Sequence, residues 1–153
     1  MINFTIWVDA DSCPILVRNI ISRFSSRLSI PLKYVANHEI PIKKNKLTQM
    51  IISENSPDSA DNYIVDHINI NDIVITRDIP LAERLVEKNV TVINDRGTEF
   101  TKENIGEYRS IRDFNFQLAQ FGITADKSGS YGQKEINKFS NLLDNILQRK
   151  IKS

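Results

Sequence analysis

Two aspartates near the N-terminus follow directly after an apolar segment. Asp9 and Asp11 come after Phe4–Val8, an apolar run with one polar interruption. Such runs are typical of buried parallel strands, and open α/β sheets bind their ligands beyond the carboxyl ends of these strands. A carboxylate at this position can bind a metal ion, but it can also cap the helix that follows. Both interpretations stay open for Asp11, whereas the position of Asp9 favours a functional role.

A second segment repeats this arrangement. Ile73–Thr76 is a clear strand, and Asp78 follows it, two residues before Pro80. Proline suits the first turn of a helix, so the segment predicts a strand, a carboxylate and then a helix. If the sheet has the flavodoxin-like order, the first and third strands are neighbours, and Asp78 faces Asp9 and Asp11 across one crevice.

Two further aspartates lie at the start of a predicted helix between these strands. Asp58 and Asp61 are three residues apart, which places them on one face of that helix. Acidic residues favour the first turn of a helix because of the helix dipole. For Asp58 this structural explanation is as good as a functional one. It explains less well the predicted convergence of four acids, namely Asp9, Asp11, Asp61 and Asp78.

Carboxylates gathered in one crevice repel one another. Two of them about 5 Å apart, at an effective dielectric constant of about 20, repel by roughly 3 kcal/mol. They can be spaced out, keep a proton at neutral pH, or bind a cation. Mg²⁺ and Mn²⁺ prefer carboxylate oxygens, and a sequence without a His/Cys ligand set argues against zinc. The acids therefore predict an oxygen-only site for Mg²⁺ or Mn²⁺, ions that activate water for attack on phosphate esters.

The elements that must position these acids alternate between strand and helix. After the first strand, an apolar stripe predicts a helix over about 15–28, which Pro31 ends. Leu32–Ala36 is the second predicted strand. Residues 37–57 are basic, and their apolar residues 47 and 50–52 fit either a short strand or a short helix.

The remaining elements continue this alternation. They are a helix from about Pro57, the strand before Asp78, a helix from Pro80, a strand over Val90–Ile93 closed by the turn Asp95–Gly97, a helix over Thr101–Ala119 capped by Thr101, a polar loop over 126–132 and a last helix over about 133–150. This order predicts an α/β fold with three layers, α/β/α, around a mostly parallel sheet of about four to five strands. We expect one domain, 1–153, whose last helix packs back on the core.

Composition excludes several classes of protein. The 20 Lys and Arg residues nearly balance the 19 Asp and Glu residues, so no strong overall field attracts nucleic acid or membranes. The single cysteine, Cys13, excludes an internal disulfide and fits a reducing compartment. No apolar run reaches membrane-spanning length, and the N-terminus lacks the features of a signal peptide. We expect a cytoplasmic protein with no membrane partner, and the sequence leaves its oligomeric state open, a dimer included.

Five sequence blocks together resemble the signature of the bacterial YaiI/YqxD family. They are Ile6–Pro14, Asp58–Val65, Asp72–Ala82, Asn94–Gly97 and Arg112–Phe114. Members of this family are similar to PIN-like domains, a nuclease fold with a parallel sheet and a cluster of acidic metal ligands. The resemblance implies metal ligands at Asp9, Asp61 and Asp78, with Asp11 and Asp58 as additional candidates. Asn62 departs from the pattern, because many relatives carry a second acid there.

The resemblance implies metal-assisted hydrolysis of phosphodiester bonds, with RNA as the expected substrate. Asp9 would anchor the cation, and Asp61 and Asp78 would complete its ligands. Asp11 would hold a second ion or orient the attacking water. Candidates for contacts to substrate phosphates are the basic residues Lys43, Lys44, Lys46, Arg77, Arg96 and Arg112. The lysines are better explained as a solvated loop. Arg77, beside Asp78, is the better candidate for the site, and a pair with a neighbouring acid is its alternative explanation. Arg96, in a tight turn, fits a structural role equally well.

Two alternatives belong to other functional classes. The segment 9–12 also resembles the strand-end motif of haloacid-dehalogenase-like phosphatases, with Asp9 as nucleophile and Asp11 as acid/base. That family needs a lysine and a later acidic motif, which Thr76–Asp78 supplies poorly. The other alternative is a PIN-like module that keeps its acids and binds RNA or a protein without cutting.

Overall fold

The computed structural model describes residues 2–43, 45–123 and 131–152. Six strands in these ranges form one sheet: β1 (Ile6–Asp9), β2 (Leu32–Ala36), β3 (Thr48–Ile52), β4 (Ile73–Ile75), β5 (Thr91–Ile93) and β6 (Glu99–Phe100). Five α-helices accompany them: α1 (Ile15–Leu28), α2 (Ser59–His67), α3 (Ile79–Glu87), α4 (Ile105–Gln120) and α5 (Gln133–Lys152). The predicted α/β class is confirmed.

The strand order is β3-β2-β1-β4-β5-β6, and β6 alone runs antiparallel to its neighbour. The sheet therefore has six strands instead of the four to five predicted. In the centre, Ile6 of β1 is paired with Leu32 on one side and with Ile73 on the other. Since the chain adds β2 and β3 on one side of β1 and β4 on the other, the strand order reverses between β1 and β4. Open α/β sheets bind ligands at such a switch point.

Alternating side chains of β1 divide the core into two apolar clusters, one on each face of the sheet. Ile6 and Val8 pack in the cluster that contains the buried residues of α1 and α5. Trp7 packs in the other cluster, with the buried residues of α2 and α3. Successive strand residues point to opposite faces, so this division follows from the pleat. Helices on both faces give the three-layer α/β/α arrangement predicted from the sequence.

Helix α1 has the predicted bounds because its ends carry clear signals. Pro14 occupies the N-cap position, and Ser29 ends the helix in a left-handed conformation with φ 56°. Its inner face buries Val17 and Ile21, neither of which is exposed to solvent. Complete burial of an aliphatic side chain of this size contributes about 1.5–3 kcal/mol. The same helix thus starts beside the acids after β1 and is held firmly against the sheet.

Helix α5 lies against α1 and ends at Lys152, two residues beyond the predicted end. Its buried residues, which share the α1 cluster, are Phe139, Leu143, Ile146 and Leu147. The turn before β6 contacts this helix so closely that a Cβ on Gly97 would lie 2.7 Å from the Lys138 carbonyl carbon. Gly97 also has φ +82°, so both space and backbone require glycine there. Residues 126–130 of the predicted polar loop, and Lys44, lie outside the described residues.

Helix α4 begins at Ile105, so the predicted start and N-cap at Thr101 are wrong. The Thr101 amide donates to Asn104 Oδ1 at 2.7 Å, and the Asn104 amide donates to Thr101 Oγ1 at 3.2 Å. These side-chain bonds hold residues 101–104 in a turn, which competes with helix formation. Within α4 only Ile105 is buried. The large exposed apolar residues on and just after the helix are Ile111, Phe114, Phe116, Phe121 and Ile123.

None of the helices in the described ranges combines the length and the apolar character needed to cross a lipid bilayer.

Candidate functional site

Four of the predicted acids lie where strands end and helices begin. Asp9 is the last residue of β1, and Asp11 belongs to a short 3-10 turn that follows it. Asp61 lies in the first turn of α2. Asp78 caps α3, where its carboxylate accepts a hydrogen bond from the Leu81 amide at 3.1 Å. Each position follows from a local signal, the end of an apolar strand or the start of a helix.

These four acids border one cavity of about 280 Å³, which we call the acidic cleft. Its lining residues are Asp9, Asp11, Ser12, Asn37, Ser56, Pro57, Ala60, Asp61, Arg77 and Asp78. The fifth predicted acid, Asp58, is exposed at the N-cap position of α2 and does not line the cleft. The structure therefore brings four of the five candidate acids together at the switch point.

Asp9 is the most deeply buried of these acids, with 6% of its surface exposed. Burial raises the pKa of its carboxyl group, and the charges of Asp78 and Asp11 raise the pKa further. Hydrogen bonds from Thr76 and Ser12 act in the opposite direction, because they stabilise the ionised form. The fold thus holds a carboxylate in a position that is unfavourable for negative charge.

Thr76 fixes the relative positions of two of the acids. Its hydroxyl donates to Asp9 Oδ2 at 2.8 Å and accepts a hydrogen bond from the Asp78 amide at 3.0 Å. Thr76 was predicted only as a strand residue, and the sequence offers one signal for its role. A hydroxyl residue directly after an apolar strand, and just before the acid, lies at the same sheet edge as Asp9.

Asp61 has the clearest electrostatic perturbation of the cleft. Burial raises the pKa of its carboxyl group to about 7, and the charges of Asp78, Asp9 and Asp58 contribute to this rise. A hydrogen bond between the carboxyl groups of Asp61 and Asp78 raises the pKa as well, because it requires a proton. With a pKa near neutrality, the carboxyl group of Asp61 readily gains or loses a proton at pH 7, and a bound cation would favour its ionised form.

Comparison with known sequences identifies the family. The profile described as "Uncharacterized BCR, YaiI/YqxD family" matches residues 7–149. The chain belongs to this family. A UPF0178 protein of Treponema denticola is 48% identical to it over 147 residues, which are 96% of this chain and 94% of the relative. UPF0178 proteins of Pseudoalteromonas atlantica and Psychromonas ingrahamii are 41% and 40% identical over 145 residues each, covering 95% of this chain and 99% and 96% of theirs.

The resemblance to the YaiI/YqxD family is thus confirmed over nearly the whole chain. No solved structure gives a significant match to it. The family description and the names of these relatives state no activity. The acidic cleft is therefore the feature of this YaiI/YqxD member that points to a function.

The predicted cations are distributed unevenly around the cleft. In the described ranges, Arg77 is the one Lys or Arg that lines it, and its guanidinium binds buried Asp95 through two nitrogens. The hydrogen bond to Asp95 is the main reason why the pKa of Arg77 is raised. Arg96 lies over the Tyr131 ring, 5.8 Å from its centre. Arg77 thus pairs with a neighbouring acid and also lines the cleft, so its contact to substrate stays a prediction.

Two other basic candidates lie away from the cleft. Arg112 is exposed on α4, with its Nη1 atom 3.2 Å from the carboxylate of Asp113. Lys43 is exposed in the segment between β2 and β3, beside α1. Neither residue lines the acidic cleft, so neither is placed to contact a phosphate group bound there.

The donor atoms of the cleft are suited to a hard divalent cation. The acids supply carboxylate oxygens, as Mg²⁺ and Mn²⁺ require. Across residues 2–43, 45–123 and 131–152, no group of three or more Asp, Glu, His or Cys side chains converges closely enough to form a metal cage. Mg²⁺ is commonly held by only one or two carboxylates, with water and substrate phosphate as its other ligands. The acids therefore fit an open magnesium-type site and do not fit a closed zinc site.

Cys13 is not a nucleophile of this site. Burial raises the pKa of its thiol to about 12, and the charge of Asp95 adds to this effect. A thiol with such a pKa stays protonated at neutral pH, and the thiolate is the reactive form. Cys13 packs with the apolar residues of the α1 cluster instead.

Proposed function

We propose that this YaiI/YqxD member is a metal-dependent hydrolase of phosphodiester bonds, with RNA as the expected substrate. The observation that carries the proposal is the acidic cleft, in which burial and mutual repulsion raise the pKa of both Asp9 and Asp61. Acidic residues with shifted pKa values that lie together in a cleft are typical of catalytic centres. The buried thiol of Cys13 fits action in the reducing cytoplasm.

A bound cation would change the electrostatic energy of the acidic cleft. Two ionised carboxylates about 5 Å apart repel by roughly 3 kcal/mol at an effective dielectric constant of about 20. This repulsion is relieved if one of the acids keeps a proton or if a cation binds between them. Binding of Mg²⁺ or Mn²⁺ turns this repulsion into attraction. The oxygen-only donor set of the cleft supports a hard divalent cation of this kind in preference to zinc.

Each acid has a distinct part in this proposal. Asp9 and Asp78, which Thr76 holds in place, would bind the ion directly. Asp61, predicted from the sequence as a third ligand, would instead contact a water molecule bound to the ion, because no three carboxylates of the described residues converge on one point. Asp11 lies at the mouth of the cleft with 35% of its side chain exposed, where it can orient a water molecule. The bound ion would polarise the phosphoryl group and lower the pKa of that water.

The phosphatase alternative has less support from the geometry. A covalent aspartyl-phosphate mechanism of the haloacid-dehalogenase type needs a lysine beside the nucleophile. No lysine of the described residues lines the cleft, and the guanidinium of Arg77 is directed to Asp95. We therefore do not propose Asp9 as a nucleophile.

The experiment is cleavage of labelled single-stranded RNA in Mg²⁺, in Mn²⁺ and in EDTA. We expect metal-dependent cleavage that Asp9→Asn and Asp78→Asn each reduce at least a hundredfold. Asp66→Asn, the same change at an exposed position of α2, is the matched control and should cleave normally. Intact RNA in all metals, with folded protein that still binds it, would contradict hydrolysis and favour the non-cutting module.

A further inference from the structure

A second concave surface lies along α1, on the sheet face opposite to α2 and α3. We call it the basic groove, and its lining residues are Asn19, Ser22, Arg23, Ser26, Arg27, Pro41, Ile42 and Lys43. Its volume of about 980 Å³ is at the upper end of the range that single small ligands fill, about 300–1,000 Å³. The groove is therefore large enough for several units of a polymer.

The lining of the basic groove contains three cations and no acid. Arg23, Arg27 and Lys43 are all exposed, and helix α1 carries no Asp or Glu over its whole length. In the described part of the chain, no carboxylate forms an ion pair with any of the three. Like charges at positions i and i+4, as Arg23 and Arg27 are, destabilise a helix slightly. In a chain with a net charge of only +1, this acid-free concentration of cations favours an anionic ligand.

The other lining groups suit a phosphate backbone. Guanidinium groups bind phosphate oxygens through two parallel hydrogen bonds, and this geometry is specific to arginine. Ser26 and Asn19 add uncharged donors of the kind that contact phosphates and sugars in nucleic-acid complexes. Arg27 stacks over the Phe24 ring, 4.9 Å from its centre, which restricts the position of its guanidinium.

One segment of chain borders both the basic groove and the acidic cleft. After β2, Asn37 lines the cleft, whereas Pro41 and Lys43 line the groove. The Arg18 side chain ties this segment to α1 by donating to the Pro41 carbonyl at 3.1 Å. Along α1 the groove extends from Asn19 to Arg27, about 12 Å at 1.5 Å per residue. A bound strand can therefore continue from the groove to the cleft over a short path.

We propose that the basic groove binds the sugar-phosphate backbone of a single nucleic-acid strand and directs that strand to the acidic cleft. This rests on the proposed function, which supplies the reason for a strand to reach the cleft. Lys43, predicted from the sequence as a substrate contact, would act here instead of beside the acids. The cleft itself, at about 280 Å³, accommodates no more than a single nucleotide unit.

The test measures binding without cleavage. Fluorescence anisotropy with a labelled single-stranded RNA and, separately, a DNA of the same length is recorded in EDTA between 50 and 200 mM salt. The slope of log K against log salt is about −0.7 per neutralised phosphate for single strands. The double variant Arg23→Gln/Arg27→Gln should reduce the magnitude of this slope by about 1.4 and weaken binding by about tenfold at the lowest salt.

The matched control is Lys102→Gln/Arg149→Gln, which removes the same charge from exposed positions outside the groove. It should leave slope and affinity close to those of the unchanged protein. The proposal would be overturned if the two double variants had equal effects, or if Arg23→Gln/Arg27→Gln had no effect. It would also be overturned if the unchanged protein bound neither the RNA nor the DNA strand. Arg23 and Arg27 are exposed, so thermal unfolding should show that both variants fold normally.

The outcome is separable from that of the proposed function. Groove-dependent binding by a protein that does not cleave would support the groove and contradict hydrolysis. Cleavage that is unchanged by the Arg23→Gln/Arg27→Gln variant would support hydrolysis and overturn the groove. The assignment to nucleic acid would be overturned if an acidic peptide displaced the RNA and bound more tightly than the RNA does.

Discussion

Replacement of Asp61 by asparagine should stabilise the metal-free protein at pH 8. The folded structure raises the pKa of this carboxyl group from 3.8 to about 7, and each pKa unit corresponds to about 1.4 kcal/mol. The full shift would amount to roughly 4 kcal/mol, but Asp61 is only half-buried, so solvent screening reduces it to about 2 kcal/mol. Asparagine also loses a favourable interaction with the N-terminus of α2, worth under about 1 kcal/mol. The expected net gain is about 1–2 kcal/mol.

The pH dependence of this gain has a definite sign. Because the folded pKa is above the unfolded one, the folded state keeps a proton that the unfolded chain releases. The stability of the unchanged protein therefore falls as pH rises from about 4 to about 7, and the advantage of Asp61→Asn grows over the same interval. Below about pH 4 the difference should disappear.

Thermal unfolding in EDTA, followed by circular dichroism from pH 4 to 8, measures this difference. For a chain of this length, 1–2 kcal/mol corresponds to a rise in Tm of about 2–8 °C. Asp66→Asn, on the exposed side of the same helix, is the control and should change Tm by less than about 2 °C. If Asp61→Asn were no more stable than the unchanged protein at pH 8, burial and the neighbouring acids would not disfavour the ionised form of Asp61, and the cleft would have no charge for a cation to relieve there.

Three other substitutions test the site and the fold. Thr76→Val, which removes the hydroxyl between Asp9 and Asp78, should cost about 1–3 kcal/mol in urea unfolding and weaken Mn²⁺ binding, while Thr76→Ser should retain both properties. Phe139→Ala should cost about 3–5 kcal/mol, because this ring is completely buried between α5 and the sheet. Phe121→Ala should cost less than about 1 kcal/mol in the same assay, since 82% of Phe121 is exposed, and equal losses would contradict the described packing.

The elements with strong local signals were predicted well. Helix α1 has the predicted bounds because proline precedes it, an apolar stripe runs along it and Pro31 follows it. Strand Leu32–Ala36 was also predicted residue for residue. The short strand Glu99–Phe100 was missed, because two residues cannot display a periodic pattern. Residues 37–57 stayed undecided until pairing with β2 made Thr48–Ile52 a strand, which is a tertiary effect.

The sequence predicted which acids line the cleft better than it predicted the residues that hold these acids in place. Asp9 and Asp78 could be paired from the sequence, because the ends of neighbouring parallel strands meet at one edge. The bond from Arg77 to Asp95 could not be identified, since it joins residues 18 positions apart whose strand ends must first be placed in space. The role of Thr76 required the same information, because its two partners are Asp9 and the Asp78 amide.

The most direct test of the central claim is a crystal of the unchanged protein soaked in Mn²⁺ and measured at an anomalous wavelength. The electrostatics of the acidic cleft predict an anomalous peak beside Asp9 and Asp78, and its loss in Asp9→Asn crystals soaked in the same way. A well-ordered cleft without a peak, or a peak only at unrelated surface carboxylates, would contradict the claim that a divalent cation neutralises these acids.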